Sequence, residues 1–263
     1  MPELPDVAGF KKYVENSALH QKISQVIVHD ERFVKGCGLD EFREAVEERA
    51  FTELSQHGKF LFQSVDAEQW VVLHFGMTGE PWYYKASDQP PRFERVAFCF
   101  GSGNRLGIAC MRMLGHVSVT SDRDQFIQEA EMGPHALDIN FGERDFVSTF
   151  SGRRGTVKSA LMNQKLVAGI GNIYADEILL QAGIHPKTRV SDLSEQKLKH
   201  LYRIMRDVLK TATDVGGKWE QLPAEYLVPL RGRKDVSCPL CGQRVDYTKV
   251  SGRGAYVCPS CQK

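Results

Sequence analysis

The feature that most constrains the fold of this chain is a group of four cysteines near its C-terminal end. Cys238, Cys241, Cys258 and Cys261 follow the pattern C-x2-C-x16-C-x2-C. Two C-x-x-C turns can aim four thiolates at one ion, which completes a tetrahedral zinc site with no open position for chemistry. The alternatives are chance spacing or two disulfides, and a reducing compartment disfavours disulfides. The pattern therefore predicts a zinc ribbon with one structural Zn²⁺.

The residues between the two cysteine pairs predict a β-hairpin. The segments "VDYTKV" and "GAYVC" alternate as strands do on either side of "SGRG". Arg253 stands at the tip of this hairpin, between Gly252 and Gly254. A guanidinium projected from a metal-pinned turn suits bidentate phosphate binding, although a solvated turn arginine is the alternative.

Two helices are predicted upstream of the cysteines. After "VAGIG", a helix should begin at Asn172 and end near Gly183, and a second should begin near Ser194 with apolar residues at helical spacing. The glycine turn presents the N-terminus of the first helix. Such an end carries unpaired N–H groups and a positive dipole end, so the sequence predicts a phosphate site there.

The first half of the chain reads as mostly β-structure. Short segments rich in valine, isoleucine and phenylalanine are separated by polar or glycine-bearing turns, and they favour a sandwich or barrel. Helices are predicted at about 6–17 and 40–48. The pattern breaks at Gly133 and Pro134, which marks a domain boundary. The strand segments are "KISQVIVHD", "FLFQSV", "WVVLHFGM", "RVAFCF" and "GHVSVTS".

Charge separates the two halves of the chain. The net charge is only +1, but residues 151–263 contain 19 Lys and Arg against 10 Asp and Glu, which leaves the first 150 residues at −8. The second half is therefore the candidate nucleic-acid surface, with a basic solvated face as the alternative. No apolar stretch predicts a transmembrane helix or a signal peptide, so we expect a cytoplasmic protein with no membrane partner.

Taken in order, the motifs resemble the formamidopyrimidine-DNA glycosylase and endonuclease VIII family of helix-two-turn-helix repair enzymes. The resemblance runs from end to end, through "PELP", "HGKFLF", "LHFGMTG", "GPHALD", "VAGIGNIYADE" and the terminal cysteine segment. It implies an α+β multidomain fold: a catalytic β-sandwich with flanking helices at 1–132, a helix-two-turn-helix domain at 133–224 and a zinc finger at 225–263.

The resemblance also implies a catalytic role for the second and third residues. Removal of Met1 would leave Pro2 with a secondary amine, which can attack C1′ of a damaged nucleotide and form an iminium ion. Glu3 would be the acid that protonates the sugar ring oxygen and later moves protons during elimination. Without the resemblance, Pro2 and Glu3 would read as a frayed terminus.

Further residues receive DNA-binding roles from the same resemblance. Lys59 matches a lysine that holds phosphates at the lesion and assists catalysis, and a solvated loop lysine is its alternative. Phosphates position the DNA so that a damaged base can be turned out, and a small wedge fills the gap. The expected phosphate and DNA contacts are Lys158, Asn172 and Arg253, and the expected wedge is Met77, Arg112 and Leu114.

Three departures from the family pattern leave the preferred lesion open. Leu114 stands where a phenylalanine is common, Asp6 stands where glutamate is usual, and the segment from Gly216 to Cys238 is several residues short. The short segment favours oxidised pyrimidines or hydantoins, whereas "PELP" and the zinc finger favour 8-oxoguanine.

The predicted activity is that of a bifunctional glycosylase and abasic-site lyase that completes β,δ-elimination on damaged duplex DNA. We expect it to act as a monomer and without a nucleotide cofactor. A non-catalytic damaged-DNA-binding protein and a zinc-ribbon accessory of transcription or translation are the alternatives.

Overall fold

A computed structural model describes residues 1–66 and 69–263. The chain forms two compact units. Unit 1 contains residues 1–2 and 6–131, and unit 2 contains residues 3–5 and 132–263. Their division in the chain falls inside "EMGPHALD". The finer division of the second part at residue 225 stays a prediction. None of the helices in the described residues is long and apolar enough to span a membrane.

Unit 1 contains two four-stranded antiparallel sheets, as the predicted sandwich requires. One sheet has the order β1-β6-β7-β5 and the other β2-β3-β4-β8. Both sheets contribute to one apolar cluster, for example through Phe98 from the first and Leu73 from the second. The strands are β1 (Ile23–Val28), β2 (Phe51–His57), β3 (Phe60–Val65), β4 (Gln69–His74), β5 (Gly79–Lys85), β6 (Glu94–Phe100), β7 (Asn104–Cys110) and β8 (His116–Thr120).

Three of these strands were not predicted, because their sequences carry weak strand signals. β2 is mostly polar, β5 begins with glycine and contains a proline, and β7 has a glycine at its centre. β2 pairs with β3 and β7 pairs with β6, both of which were predicted, whereas among the described strands β5 pairs only with β7. The helices of unit 1 are α2 (Leu39–Val46), α3 (Arg123–Glu129) and most of α1 (Leu4–Ser17).

Unit 2 is helical, with a hairpin near its C-terminal end. Its helices are α4 (Glu143–Phe150), α5 (Val157–Leu161), α6 (Asn172–Gln181) and α7 (Glu195–Asp214), and the hairpin strands are β9 (Asp246–Val250) and β10 (Arg253–Val257). The two predicted helices are confirmed as α6 and α7. Ser194 caps α7 by accepting a hydrogen bond from Lys197 N.

Helix α6 lies at the centre of unit 2 and is buried on almost every side. Residues 174–180 are all buried, so this part of the helix has no solvent-exposed face. The start of α1 belongs to the same core. Leu4 is 1% exposed, and its N–H donates to the carbonyl of Gly169 at 3.0 Å. Gly169 has φ +115°, and a Cβ there would overlap the Leu4 side chain, so glycine is required.

Candidate functional site

The four cysteines of the C-terminal segment converge in space. Their sulfur atoms all lie within 4.8 Å of one another. Sγ of Cys238 is 3.8 Å from Sγ of Cys261, and Sγ of Cys241 is 3.5 Å from Sγ of Cys258. These separations exceed the roughly 2.05 Å of a disulfide bond. They match the roughly 3.8 Å between sulfurs that bind one tetrahedral Zn²⁺ at about 2.3 Å. The group therefore fits a metal ion.

The hairpin between the cysteine pairs places Arg253 at its tip. Arg253 opens β10 and pairs with Val250 across the ladder, so the turn consists of Ser251 and Gly252. Both turn residues have positive φ, +49° and +77°. Arg253 is exposed. It directly follows the turn, and its phosphate contact stays a prediction.

A buried ionic contact anchors this hairpin to helix α6. Asp176 is fully buried, and its two carboxylate oxygens accept from Lys158 Nζ and from the Arg231 guanidinium, both at 2.6 Å. The same carboxylate accepts from Tyr256 N at 3.2 Å, and Lys158 Nζ also donates to the carbonyl of Gly254 at 2.7 Å. Both hairpin contacts lie on β10, within three residues of Arg253.

The expected DNA contact at Lys158 stays a prediction, and the structure does not place this side chain at the surface. Lys158 is 1% exposed, and its ammonium group is engaged by Asp176 and the Gly254 carbonyl. Burial lowers the pKa of Lys158, while the charge of Asp176 acts in the opposite direction. The side chain positions the hairpin.

Glu3 occupies the N-terminal end of helix α6. It is 0% exposed, and its carboxylate accepts from the N–H groups of Gly171, Ile173 and Tyr174 at 2.7, 2.8 and 3.1 Å. A Cβ at Gly171 would overlap this carboxylate, which explains the glycine turn. A carboxylate of the chain itself therefore takes three of the N–H groups at this helix end, and the predicted phosphate site stays a prediction that rests on Asn172.

Because Glu3 makes these contacts, the first residues of the chain are not a frayed terminus. Glu3 and Leu4 are both held in the core of unit 2. Pro2 comes directly before them and is half-buried, and Met1 is 39% exposed. Asp6 lies in the first turn of α1. The backbone nitrogen of Pro2 is thus one residue away from a fixed carboxylate.

Asn172 opens helix α6, although it is not the N-cap residue. Gly171 takes that position. The Asn172 side chain is partly buried, and its Oδ1 has no hydrogen-bond partner among the described residues. A buried amide oxygen without a donor is unfavourable, so a ligand with a hydrogen-bond donor would satisfy it. The phosphate contact expected of Asn172 stays a prediction.

In unit 1, Lys59 lies in the short turn between β2 and β3. His57 and Phe60 pair directly, so Gly58 and Lys59 form the turn, and Gly58 has φ +56°. The charge of Lys59 contributes to lowering the pKa of His74. Lys59 therefore lies close to the end of β4.

His74 and His116 form a ring pair beside this turn. They face each other on β4 and β8 with ring centroids 5.4 Å apart, and Phe60 lies 4.8 Å from His74. Burial, followed by the charges of His116 and Lys59, lowers the pKa of His74 to about 4. Burial and Lys35 lower the pKa of His116.

The three expected wedge residues lie on two neighbouring turns of unit 1. Met77 is 37% exposed, Leu114 is 51% exposed, and Arg112 is exposed. The turns are in contact, because Arg112 N donates to Thr78 Oγ1 at 3.1 Å. A Cβ at Gly76 would overlap the backbone of Leu114. The alternative of Met77 as a core residue is therefore wrong.

Sequence reasoning missed two buried titratable residues and one that is partly buried. Asp176 and Glu177 stand in "YADE" and His74 stands in "LHFG", but none of these positions was singled out. The Glu177 carboxylate accepts from Leu227 N at 2.7 Å and Val228 N at 2.9 Å. A carboxylate in the middle of an otherwise apolar helix was the signal that could have identified Asp176 and Glu177, because such groups are rarely buried without partners.

Comparison with known proteins places these features in one class. The model of the formamidopyrimidine-DNA glycosylase N-terminal domain matches residues 1–117, and that of the formamidopyrimidine-DNA glycosylase H2TH domain matches residues 132–222. Formamidopyrimidine-DNA glycosylases of Desulforamulus reducens and Pelotomaculum thermopropionicum are 30% and 29% identical to this chain. Both alignments cover 100% of this chain and 99% of the relative.

Solved structures show the same likeness. The Lactococcus lactis formamidopyrimidine-DNA glycosylase, non-covalently bound to DNA with an abasic site, has a TM-score of 0.91 at 26% identity. The match covers 99% of each chain. The same enzyme with DNA containing N7-benzyl-Fapy-dG has a TM-score of 0.90 at 26% identity, with all of both chains covered.

The fold and the matched domains define a helix-two-turn-helix DNA glycosylase of DNA repair. The chain belongs to the formamidopyrimidine-DNA glycosylase and endonuclease VIII family.

Proposed function

We propose that this protein is a bifunctional glycosylase and abasic-site lyase that excises oxidised bases from DNA through a Schiff base at Pro2. One observation carries the proposal. Glu3 is a fully buried carboxylate, fixed by three N–H groups at the end of helix α6, and it adjoins the residue whose amine would react. A terminus without function has no need of such a fixed carboxylate.

In the first chemical stage, a bond between C1′ and the Pro2 nitrogen replaces the bond between C1′ and the damaged base. After removal of Met1, the lone pair of the Pro2 amine attacks C1′, and the bond from C1′ to the damaged base breaks with its electron pair leaving on the base. Proton transfer through Glu3 to the sugar ring oxygen opens the C1′–O4′ bond, which leaves an iminium ion between Pro2 and C1′.

The second stage cleaves the strand. The iminium ion acidifies the C2′ proton, and its removal expels the 3′ phosphate. A second elimination expels the 5′ phosphate, and water then hydrolyses the iminium and releases Pro2. Glu3 suits the proton transfers, because a carboxyl group that accepts three hydrogen bonds still has lone pairs available for a proton.

Other residues hold the DNA in this proposal. Lys59, Asn172 and Arg253 bind phosphates around the lesion, while the wedge of Met77, Arg112 and Leu114 fills the gap left by the extruded nucleotide. The four cysteines hold a structural Zn²⁺. Because all four ligands are thiolates, the ion would fix the fold of the Arg253 hairpin and offer no open position for catalysis.

Borohydride trapping tests the proposal. The purified protein, with loss of Met1 checked by mass spectrometry, is incubated with abasic-site duplex and sodium borohydride, which reduces an iminium to a stable amine. We expect a covalent adduct at Pro2. The adduct should disappear in protein that retains Met1 and persist in the matched variant Pro134→Gly. It should form more weakly in Pro2→Gly, because an N-terminal glycine keeps a primary amine that can still form an imine.

The same assay separates an enzyme from a binding protein. Retained affinity for abasic-site DNA without an adduct in the unaltered protein would show a non-catalytic damaged-DNA-binding protein. A series of duplexes, each with one lesion, then ranks 8-oxoguanine against oxidised pyrimidines and hydantoins.

A further inference from the structure

Phe93 is an exposed aromatic residue in a strained backbone conformation. It lies in the turn before β6 with φ +65°, a region that bulky L-residues rarely adopt, and it is 37% exposed. Burial of the ring therefore does not account for the strain. Strain of this kind is often retained where a residue serves a function.

Two arginines flank the Phe93 ring. Cζ of Arg92 lies 4.6 Å from the ring centroid, and Cζ of Arg95 lies 5.8 Å from it. Arg95 also donates to the carbonyls of Cys110 at 2.9 Å and Met111 at 3.4 Å. The Cys110 N–H in turn donates to the Phe93 carbonyl at 3.0 Å. Phe93 is thereby fixed to the end of β7.

This group continues directly into the wedge turn. Met111 is 54% exposed and precedes Arg112 in the chain. We call Arg92, Phe93, Arg95 and Met111 the arginine–phenylalanine platform. Among the described residues, no carboxylate lies within 4 Å of the guanidiniums of Arg92 and Arg112.

Glu94, between Phe93 and Arg95 in the chain, does not offset the positive charge of the arginines at the surface. The Glu94 carboxylate is buried and engaged by His29 Nε2 at 2.8 Å and by the Tyr84 hydroxyl at 2.7 Å. The platform thus combines an aromatic ring, an exposed thioether and cations, of which Arg95 also interacts with the charge of Asp30. Protein surfaces that bind unstacked nucleobases combine aromatic rings and cations in this way.

We propose that the arginine–phenylalanine platform binds a nucleobase left unpaired on the DNA strand that faces the wedge. The inference rests on the proposed function, because extrusion of a damaged nucleotide leaves its partner base without a pair. Met111 joins the platform to the wedge, so a base displaced beside Leu114 has an aromatic surface close by. Arg92 can move from the ring to a flanking phosphate.

Phe93→Gly tests this inference without damaging the fold. Glycine adopts φ +65° without strain, so the melting temperature should stay unchanged or rise. Fluorescence anisotropy measures binding to a duplex with a non-cleavable abasic analogue opposite a normal base. A second duplex carries the analogue in both strands and therefore has no unpaired base.

We expect Phe93→Gly to weaken binding to the first duplex about 10-fold and to leave binding to the second unchanged. Trp82→Ala is the matched control, because Trp82 is an exposed aromatic residue of β5 outside the platform. It should alter neither affinity. Equal weakening on both duplexes, or no weakening on either, would overturn the inference.

The outcome is independent of catalysis, since the DNA analogue cannot react. Failure of borohydride trapping would remove the proposed lyase and leave the binding result intact. A lower melting temperature in Phe93→Gly with unchanged binding would show a structural role for the ring and overturn the platform.

Discussion

Unit 1 and unit 2 differ in how many charged side chains they bury. Among the described residues, unit 1 buries one charged residue, Glu94, whereas unit 2 buries Glu3, Lys158, Asp176 and Glu177. Unit 1 is stabilised by apolar packing between two sheets and presents its wedge on surface turns. Unit 2 fixes a carboxylate and a cationic hairpin through directional buried contacts, which suit groups that need a defined geometry.

The difference teaches what a buried ionic contact contributes. Removing the charges of Asp176, Lys158 and Arg231 from water costs much of the free energy that their mutual attraction provides. A gain in net stability therefore does not explain the contact. The contact should instead fix the position of the hairpin, and removal of one partner should strongly lower the free energy of unfolding.

The largest expected effect comes from Asp176→Ala. The substitution leaves the cations of Lys158 and Arg231 without their shared carboxylate, so the free energy of unfolding should fall by about 3–5 kcal/mol in urea titrations. Asp235→Ala is the control, because it breaks an exposed pair with Arg244 in which both side chains are 77% exposed. That change should cost at most about 1 kcal/mol. Equal losses in the two variants would contradict the comparison.

The sequence predicted the elements of both units better than their buried polar contacts. Apolar spacing identified α7, and short segments rich in valine, isoleucine and phenylalanine identified five strands, because both patterns record burial within a short segment. Cysteine spacing identified a metal-binding group, because each C-x-x-C pair is also a local pattern. The Asp176 contacts join residues 55 and 80 positions away in the chain, and no local pattern encodes them. The expected DNA contact at Lys158 rested on the resemblance, and no local pattern showed that its ammonium group is buried beside Asp176.

A second, smaller effect should come from Glu177. Burial raises the pKa of this carboxyl from 4.5 to about 7, against the hydrogen bonds from Gln181, Val228 and Leu227 that act to lower it. The folded protein therefore holds the proton more tightly than the unfolded chain does. This contribution to stability is fully present below pH 4.5 and is lost as the pH rises through 7.

Urea titrations of Glu177→Gln across this pH range isolate the contribution. Relative to the variant, the unaltered protein should lose about 2–3 kcal/mol of unfolding free energy between pH 4.5 and 7.5. Glu195→Gln, at an exposed helix position, should show no such change over this range. A difference between wild type and Glu177→Gln that does not vary with pH would show that Glu177 has the same pKa in the folded protein and in the unfolded chain.

The smallest of the three effects should come from His74, with the opposite sign. Burial, His116 and Lys59 lower its pKa from 6.5 to about 4, so the unfolded chain binds the proton more tightly. This contribution is fully present above pH 6.5 and is lost as the pH falls through 4. Because the ring is partly exposed, we expect a loss of about 1–2 kcal/mol between pH 7.5 and 4, relative to His74→Phe.

His74→Phe keeps a ring against Phe60 and cannot be protonated, so urea titrations at several pH values isolate the imidazole. The control His200→Gln changes an exposed histidine of α7 and should leave the pH dependence unaltered. Opposite slopes for His74 and Glu177 would show that the two units respond to pH in opposite directions, one through a ring pair at a sheet end and the other through a carboxyl inside a helix. Slopes of the same sign would remove that distinction, because one of the two groups would then have to be charged in its buried site.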